Sequence, residues 1–164
     1  MLWSYRIKMV DIKKFEKIKK KAEEFYKSLS SVHCPYLGGE VNFNTKGLDH
    51  IKFKNWNRTR VRDDQYMRLK LVHLAPKVIK KSNTMQGYSE TKEFERKKVN
   101  SRWERKLIPV SYYEFVAVLE GIRVRVIVRH VDGGQKHFWS IIPFWKMNKN
   151  NGKRILYYGK PCED

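Results

Sequence analysis

The run Ile122-Arg123-Val124-Arg125-Val126-Ile127-Val128-Arg129-His130, followed by Asp132-Gly133-Gly134 and then by residues 135–142, decides the fold class. A period of two puts Ile122, Val124, Val126 and Val128 on one face of a strand and Arg123, Arg125, Ile127 and Arg129 on the other. The β-branched residues suit that pleated surface. Asp132-Gly133-Gly134 supplies the backbone freedom for a tight reversal into a second strand at 135–142, whereas Glu120-Gly121 ties 122–130 back to a strand at 112–119. Farther out, 103–110 and 93–99 also read as strands, so the spacing predicts an antiparallel meander.

Upstream of the meander the period changes. Ile12, Phe15, Ile18, Ala22, Phe25, Tyr26 and Leu29 recur at intervals of three and four, predicting a helix over 11–29 with Asp11 as its cap. Lys13, Lys14, Lys17, Lys20, Lys21 and Lys27 occupy its other side, read first as a solvated face and secondly as a phosphate-tracking one. Asp63 and Asp64 open a second helix over 63–75, with Tyr66, Leu69, Val72 and His73 inward and a stop or kink at Pro76. Helices first and strands second predict an α+β fold in which N-terminal helices pack on one face of a four- to five-stranded antiparallel sheet, leaving the other face open. The segment 155–158 either adds an edge strand or packs. A chain of 164 residues and 19.8 kDa is read as one compact unit, with a basic amphipathic helix over 1–30 and an α+β domain over 31–164.

Charge narrows the function. Thirty-six Lys and Arg against 17 Asp and Glu leave a net +19, spread as +5 over 1–30, +4 over 31–62, +6 over 63–110 and +4 over 111–164. Such a field draws polyanions, nucleic acid or an anionic membrane. A membrane-surface role for the lysine-rich helix is the weaker of these, because Phe15, Phe25 and Leu29 are explained as core contacts. No apolar run approaches the roughly 18 residues of a span and no signal-peptide core follows the basic N-terminus, so a cytoplasmic protein without membrane association is expected. The two cysteines, Cys34 and Cys162, support neither a disulfide framework nor a zinc site, and Cys34 is read as a small buried hydrophobe rather than a nucleophile. Phosphate loop, dinucleotide fingerprint, His-Glu-x-x-His, nucleophile elbow and clustered carboxylates are all missing from the sequence, so no cofactor and no metal site is expected.

Residues His50 to Arg62 carry five cations and no acid, with Phe53 and Trp56 interleaved. Cations neutralise phosphates and rings stack on unpaired bases, so Lys54, Trp56, Arg58, Arg60 and Arg62 are candidate RNA contacts; the alternative is an exposed basic edge strand with two core aromatics. Three arginines on one strand face repel one another unless acids, solvent or a polyanion compensate, which makes Arg123, Arg125 and Arg129 a candidate phosphate-binding face, with Arg123 and Arg125 as RNA contacts; the alternative is a solvated face. The hairpin register decides what joins them: a two-residue turn sets Ser140 opposite Ile127, and a three-residue loop sets His137 opposite Arg129. RNA cleavage without a metal needs a base for the 2′-hydroxyl, an acid for the 5′-oxygen and fixed cations for the phosphate. His50 and His137 are the candidate acid and base, with Lys52 and the arginines as electrostatic stabilisers.

The stretch Gly47-Leu48-Asp49-His50-Ile51-Lys52-Phe53-Lys54, the helix from Arg68 to Ala75 ending at Pro76, the strand Val124 to Val128 and the strand Phe138-Trp139-Ser140-Ile141-Ile142-Pro143 together resemble the barnase, EndoU, colicin-tRNase and RelE-toxin group of metal-independent ribonucleases, especially its phage- and mobile-element-associated members. The resemblance covers residues 38 to 145 or so. It implies a small helix-plus-sheet RNase of toxin or effector type, with RNA, tRNA included, lying across the open sheet face. It places a catalytic histidine at His50, a cationic partner at Lys52 or Lys54, a phosphate-binding arginine at Arg129 and a polar group at Ser140. Members often carry a second histidine shortly after the first, where this chain has Lys54 and Asn55. An acidic inhibitor or antitoxin protein is a physically sensible partner for a +19 chain. The alternative expectation is a non-catalytic nucleic-acid-binding protein of a mobile element.

Overall fold

The computed structural model describes residues 10–55, 58–143, 145–147, 150 and 154–156. Helix α1 (Ile12–Ser28) is followed by strands β1 (Ser31–Cys34) and β2 (Gly39–Asn42), helix α2 (Thr45–Lys52), the short strands β3 (Phe53–Asn55) and β4 (Arg58–Thr59), and helix α3 (Arg62–Leu71). A 3-10 turn over Val72–Leu74 leads into helix α4 (Ala75–Lys81). Then come the strands β5 (Gly87–Val99), β6 (Arg102–Leu119), β7 (Ile122–Val131) and β8 (Lys136–Pro143), and finally β9 (Trp145–Met147) and β10 (Arg154–Leu156). The class is α+β, as the alternation and helical periodicities require.

The sheet differs from a pure meander. Its order is β1-β2-β8-β7-β6-β5, and β2 runs parallel to β8 through the pair Asn42 and His137, so the six-stranded sheet is mixed rather than antiparallel throughout. The expected strands at 103–110 and 112–119 are one strand, β6, because pairing with β5 runs unbroken from Arg102 to Glu114. The β1–β2 hairpin was hidden because its strands are four residues each and carry little alternation. Residues 145–147 and 154–156 pair with each other as a separate small sheet, as do β3 and β4.

Turn chemistry behaves as its residues dictate. Glu120 and Gly121 both have positive φ (51° and 72°), the backbone of a two-residue turn whose twist matches the flanking strands. Asn100 and Ser101 (47° and 66°) do the same between β5 and β6. Pro76 does not stop the helical run; it sits in the first turn of α4, where its missing N–H costs no bond. Asp11 makes no side-chain cap on α1, although its carbonyl accepts from the Phe15 amide at 2.9 Å.

The main core lies between the helices and the Val124, Val126 and Val128 face of β7, where Phe15, Tyr26, Ile51, Leu69, Leu74 and Ile79 meet Phe115, Phe138 and Ile141. Ile12, expected inward, is 58% exposed at the helix start. Cys34 is fully buried, consistent with an apolar packing role. Gly47 lets α2 lie against β8: a Cβ there would run into the Phe138 carbonyl and stand 2.6 Å from the Tyr26 hydroxyl. This close approach positions His50 one turn later in α2.

Candidate functional site

A bulge in β8 builds the site. Ser140 pairs with Ile127 and His137 with Arg129, with the register shift between Ile127 and Val128 leaving Trp139 as the extra residue. Both registers left open by the sequence therefore occur, one on each side of the bulge, and His137 and Ser140 are each set opposite the arginine-bearing face. Neither residue excludes the other.

Trp139 is the hub. The His50 imidazole stacks on its ring with centroids 4.0 Å apart and planes 19° apart, and the Arg129 guanidinium lies 4.7 Å from the ring centroid. His137 meets it edge-on at 5.9 Å. Arg60 donates through Nε to the His50 carbonyl at 2.9 Å, and its Nη2 lies 3.1 Å from His50 Nε2. A guanidinium is only a donor, so His50 Nε2 accepts and carries the lone pair. Asp64 bridges two cations, taking Arg60 Nη1 at 3.3 Å and Arg68 Nε at 2.9 Å, and Arg68 Nη1 donates to Ser140 Oγ at 2.6 Å.

Burial marks this neighbourhood off from the rest of the molecule. Among the described residues, the buried polar and charged side chains are His50, Arg60, Gln65, Arg68, Arg125, Arg129, His137 and Ser140, all contributed by α2, residues 60–68, β7 and β8. Placing that many cationic and polar groups out of water opposes folding unless each is paired, and such groups concentrate where chemistry is done.

The arginines of β7 are compensated by acids from neighbouring strands. Arg129 Nη2 reaches Glu93 at 2.7 Å and also Glu95, its Nε donates to the Tyr112 hydroxyl at 3.2 Å, and Tyr112 in turn donates to Glu93. Burial alone would lower the Arg129 pKa, but Glu95 and Glu93 outweigh it and hold the guanidinium firmly charged. Burial likewise raises Glu93, and hydrogen bonds from Tyr112 and Arg129 overcome it, keeping the carboxylate below its ordinary range. Arg125 is 1% exposed with Nη1 3.3 Å from Glu114. The open cationic face expected from the sequence is thus corrected. Arg123 remains exposed, whereas Arg125 and Arg129 are buried in ion pairs because β5 and β6 deliver Glu93, Glu95 and Glu114 to the same face.

His137 is 4% exposed, with no partner for Nε2 among the described residues. Burial foremost, then the charges of Arg129 and Lys46, push its pKa from 6.5 down to about 4, against the Gln135 backbone and Glu95. It is neutral at pH 7, the form that accepts a proton. His137 lines a cleft of about 420 Å³ with Asn44, which caps α2, Lys46 of α2, Glu95 and Lys97 of β5 and the β7–β8 turn.

The remaining candidates divide. Lys52 is half-buried, its Nζ paired with Glu23 of α1 at 3.0 Å. Arg60, expected at the surface, is 6% exposed and belongs to the hub. Lys54 and Arg58 are exposed; Arg62 is half-buried, with Nη1 3.5 Å from the Val10 carbonyl. Trp56 lies outside the described residues. Arg68, Asp64 and Trp139 were missed as site residues. For Asp64 and Arg68 the signal was present in the i, i+4, i+8 spacing with Arg60, which stacks two cations around one acid along a helix start; Trp139 is placed by the bulge, which nothing local announces.

Comparison of the chain with protein-family models, with curated proteins and with solved structures found no match. Among the described residues no helix is long and apolar enough to cross a membrane.

Proposed function

We propose that this chain is a metal-independent RNA endonuclease whose reaction centre is the polar cluster around Trp139. The observation that carries the reading is a buried polar cluster: His50, Arg129 and His137, from α2, β7 and β8, meet around the Trp139 indole, and Arg60, Arg68 and Ser140 join it through His50 and Asp64. In this reading His50, with its Nε2 lone pair, takes the proton of the ribose 2′-hydroxyl as that hydroxyl displaces Arg60 from the nitrogen. The 2′-oxygen forms a bond to phosphorus and the bond from phosphorus to the 5′-oxygen breaks. The products are a 2′,3′-cyclic phosphate and a 5′-hydroxyl, the proton returning to the 5′-oxygen from the imidazolium so formed. Arg60 and Arg68 neutralise charge growing on the phosphate, Ser140 orients Arg68, and Arg129 fixes the indole. The resemblance to the toxin-type ribonucleases points the same way.

The test is product chemistry. Purified protein incubated with tRNA and total RNA in EDTA is expected to yield 2′,3′-cyclic phosphate ends, and His50→Gln to lose at least a hundredfold in rate. Full activity in a folded His50→Gln protein removes His50 from the mechanism.

A second reading, a nucleic-acid-binding protein without catalysis, is favoured by one observation: His50 is 6% exposed and its Nε2 already accepts from Arg60. Tight binding with no product across a broad RNA panel selects it.

A further inference from the structure

Strand β6 pairs with β7 only from Val110 onward, whereas its pairing with β5 extends to Arg102. Residues 92–99 and 102–109 therefore form a two-stranded ribbon extending past the β6–β7 ladder, about 26 Å long at about 3.3 Å per residue. The register sorts its side chains. Lys92 pairs with Pro109, Phe94 with Leu107, Arg96 with Arg105 and Lys98 with Trp103, and these eight residues share one face. The other face holds Glu93 with Ile108, Glu95 with Lys106, Lys97 with Glu104 and Val99 with Arg102. Every acid of the ribbon is on the second face, and the first carries only cations and apolar groups.

Three of the most exposed large apolar side chains of the described residues sit on that first face: Phe94 at 64%, Trp103 at 63% and Leu107 at 53%. Two cross-strand diagonals lay a guanidinium over a ring, Arg96 over Trp103 at 5.5 Å and Arg105 over Phe94 at 5.7 Å. Exposed rings interleaved with unpaired cations cost solubility and self-repulsion in an isolated protein, and both costs are relieved by a polyanion that also offers planar apolar surfaces.

We propose that this face of the β5–β6 ribbon is a binding platform for single-stranded RNA, with Trp103 and Phe94 stacking on unpaired bases and Arg96, Arg105, Lys92 and Lys98 holding the phosphates. A duplex groove can admit a two-stranded ribbon, but bases stacked within a helix present only their edges there, leaving the two rings without a stacking partner. Unpaired bases expose their π-faces and suit rings flanked by guanidinium planes. The inference deepens the nucleic-acid reading above and depends on it for the choice of RNA as the polyanion.

The experiment measures binding of fluorescein-labelled oligo(U), a blunt RNA duplex and a DNA duplex by anisotropy across a salt series, with the full chain carrying His50→Gln so that cleavage does not intervene. Phe94→Ala and Trp103→Ala, both at exposed positions, are expected to leave the melting temperature unchanged and to weaken oligo(U) binding roughly tenfold each. Arg96→Gln with Arg105→Gln is expected to reduce the slope of log affinity against log salt by about 1.4, at about 0.7 per phosphate contact on a single strand. Three results overturn the proposal: affinity within twofold of the parent in the Phe94, Trp103 double variant, tighter binding of either duplex than of oligo(U), or a parent dimer in light scattering that the double variant makes monomeric. If the platform variants lose oligo(U) while no RNA is ever cut, the endonuclease reading fails and the platform stands. Cleavage with unchanged affinity in the ribbon variants has the opposite meaning.

Discussion

Replacing His137 by Gln converts a buried titratable group into one of similar shape that cannot take up a proton. His137 is 4% exposed, and its pKa is pushed from 6.5 to about 4 chiefly by burial, then by Arg129 and Lys46. A histidine whose folded-state pKa lies below its unfolded value favours the folded state fully above pH 6.5, and that contribution is lost as the pH falls through about 4. With those two values the linkage integral amounts to about 0.2 kcal/mol at pH 7 and about 2.5 kcal/mol at pH 4.5. The expected outcome is that His137→Gln gains roughly 2 kcal/mol on the parent between pH 7 and pH 4.5, whatever its offset at neutral pH. Urea unfolding followed by circular dichroism at both values measures this. Taking the difference between the two proteins cancels Glu93 and the other carboxylates, which titrate in both. A change under about 0.5 kcal/mol, or a His137 resonance titrating near 6.5 by NMR, refutes the account of a desolvated, cation-flanked imidazole.

Glu93→Gln is expected to lower stability by roughly 1 to 3 kcal/mol at pH 7, since it weakens a buried ion pair and a phenol bond together. Because the Glu93 carboxyl is held below its ordinary value, that gap is present above the unfolded pKa and closes as the pH falls through the folded one, which acid titration of the two unfolding curves will show or deny. Gly47→Ala puts a methyl into the Phe138 carbonyl and the Tyr26 hydroxyl; thermal melts should show a loss of more than about 2 kcal/mol despite alanine's better helix propensity, and a neutral result means α2 does not lie so close to β8. Ser140→Ala removes an acceptor from Arg68 and should cost about 1 to 2 kcal/mol, with Ser140→Thr recovering part of it.

Much of this molecule is readable before any coordinates. The period-two run at 122–130, its two glycine-containing turns and the period-3.6 run of α1 are local signals, and the elements they name form as written. The lost information is of another kind. The parallel β2–β8 contact rests on one residue pair between segments almost a hundred positions apart, and nothing local to Asn42 announces it. The bulge at Trp139 answered a question posed as one register or the other, because turn length alone does not determine pairing along the whole strand. Charge was misjudged for the same reason. Arg125 and Arg129 have few acids near them in sequence, yet Glu114, Glu93 and Glu95 reach them across strands. His50, Arg129, His137 and Ser140 are all singled out by the sequence, which leaves the choice between His137 and Ser140 to the hairpin register; the bulge turns both toward the arginine-bearing face.

The two ends of the charge problem turn out to be one structural device. Glu93 and Glu95 occupy odd positions of β5, and the same pleat that turns them toward Arg129 turns Phe94, Arg96 and Lys98 the opposite way. A slip of one residue in β5 would bring cations against a buried guanidinium and throw the carboxylates onto the exposed face, at a cost in buried like-charge contact far beyond that of an ordinary register error. Lys46 of α2, 3.9 Å from Glu95, adds a second anchor to the same odd-numbered face. The ion pairs around Arg129 thus do more than neutralise a buried cation beside Trp139. They lock the register of an edge strand that has only one strand neighbour, and by doing so they fix which face of the ribbon meets solvent. The demand for acids beside Arg129 accounts for where Glu93 and Glu95 stand; it does not account for the rings and cations of the outer face.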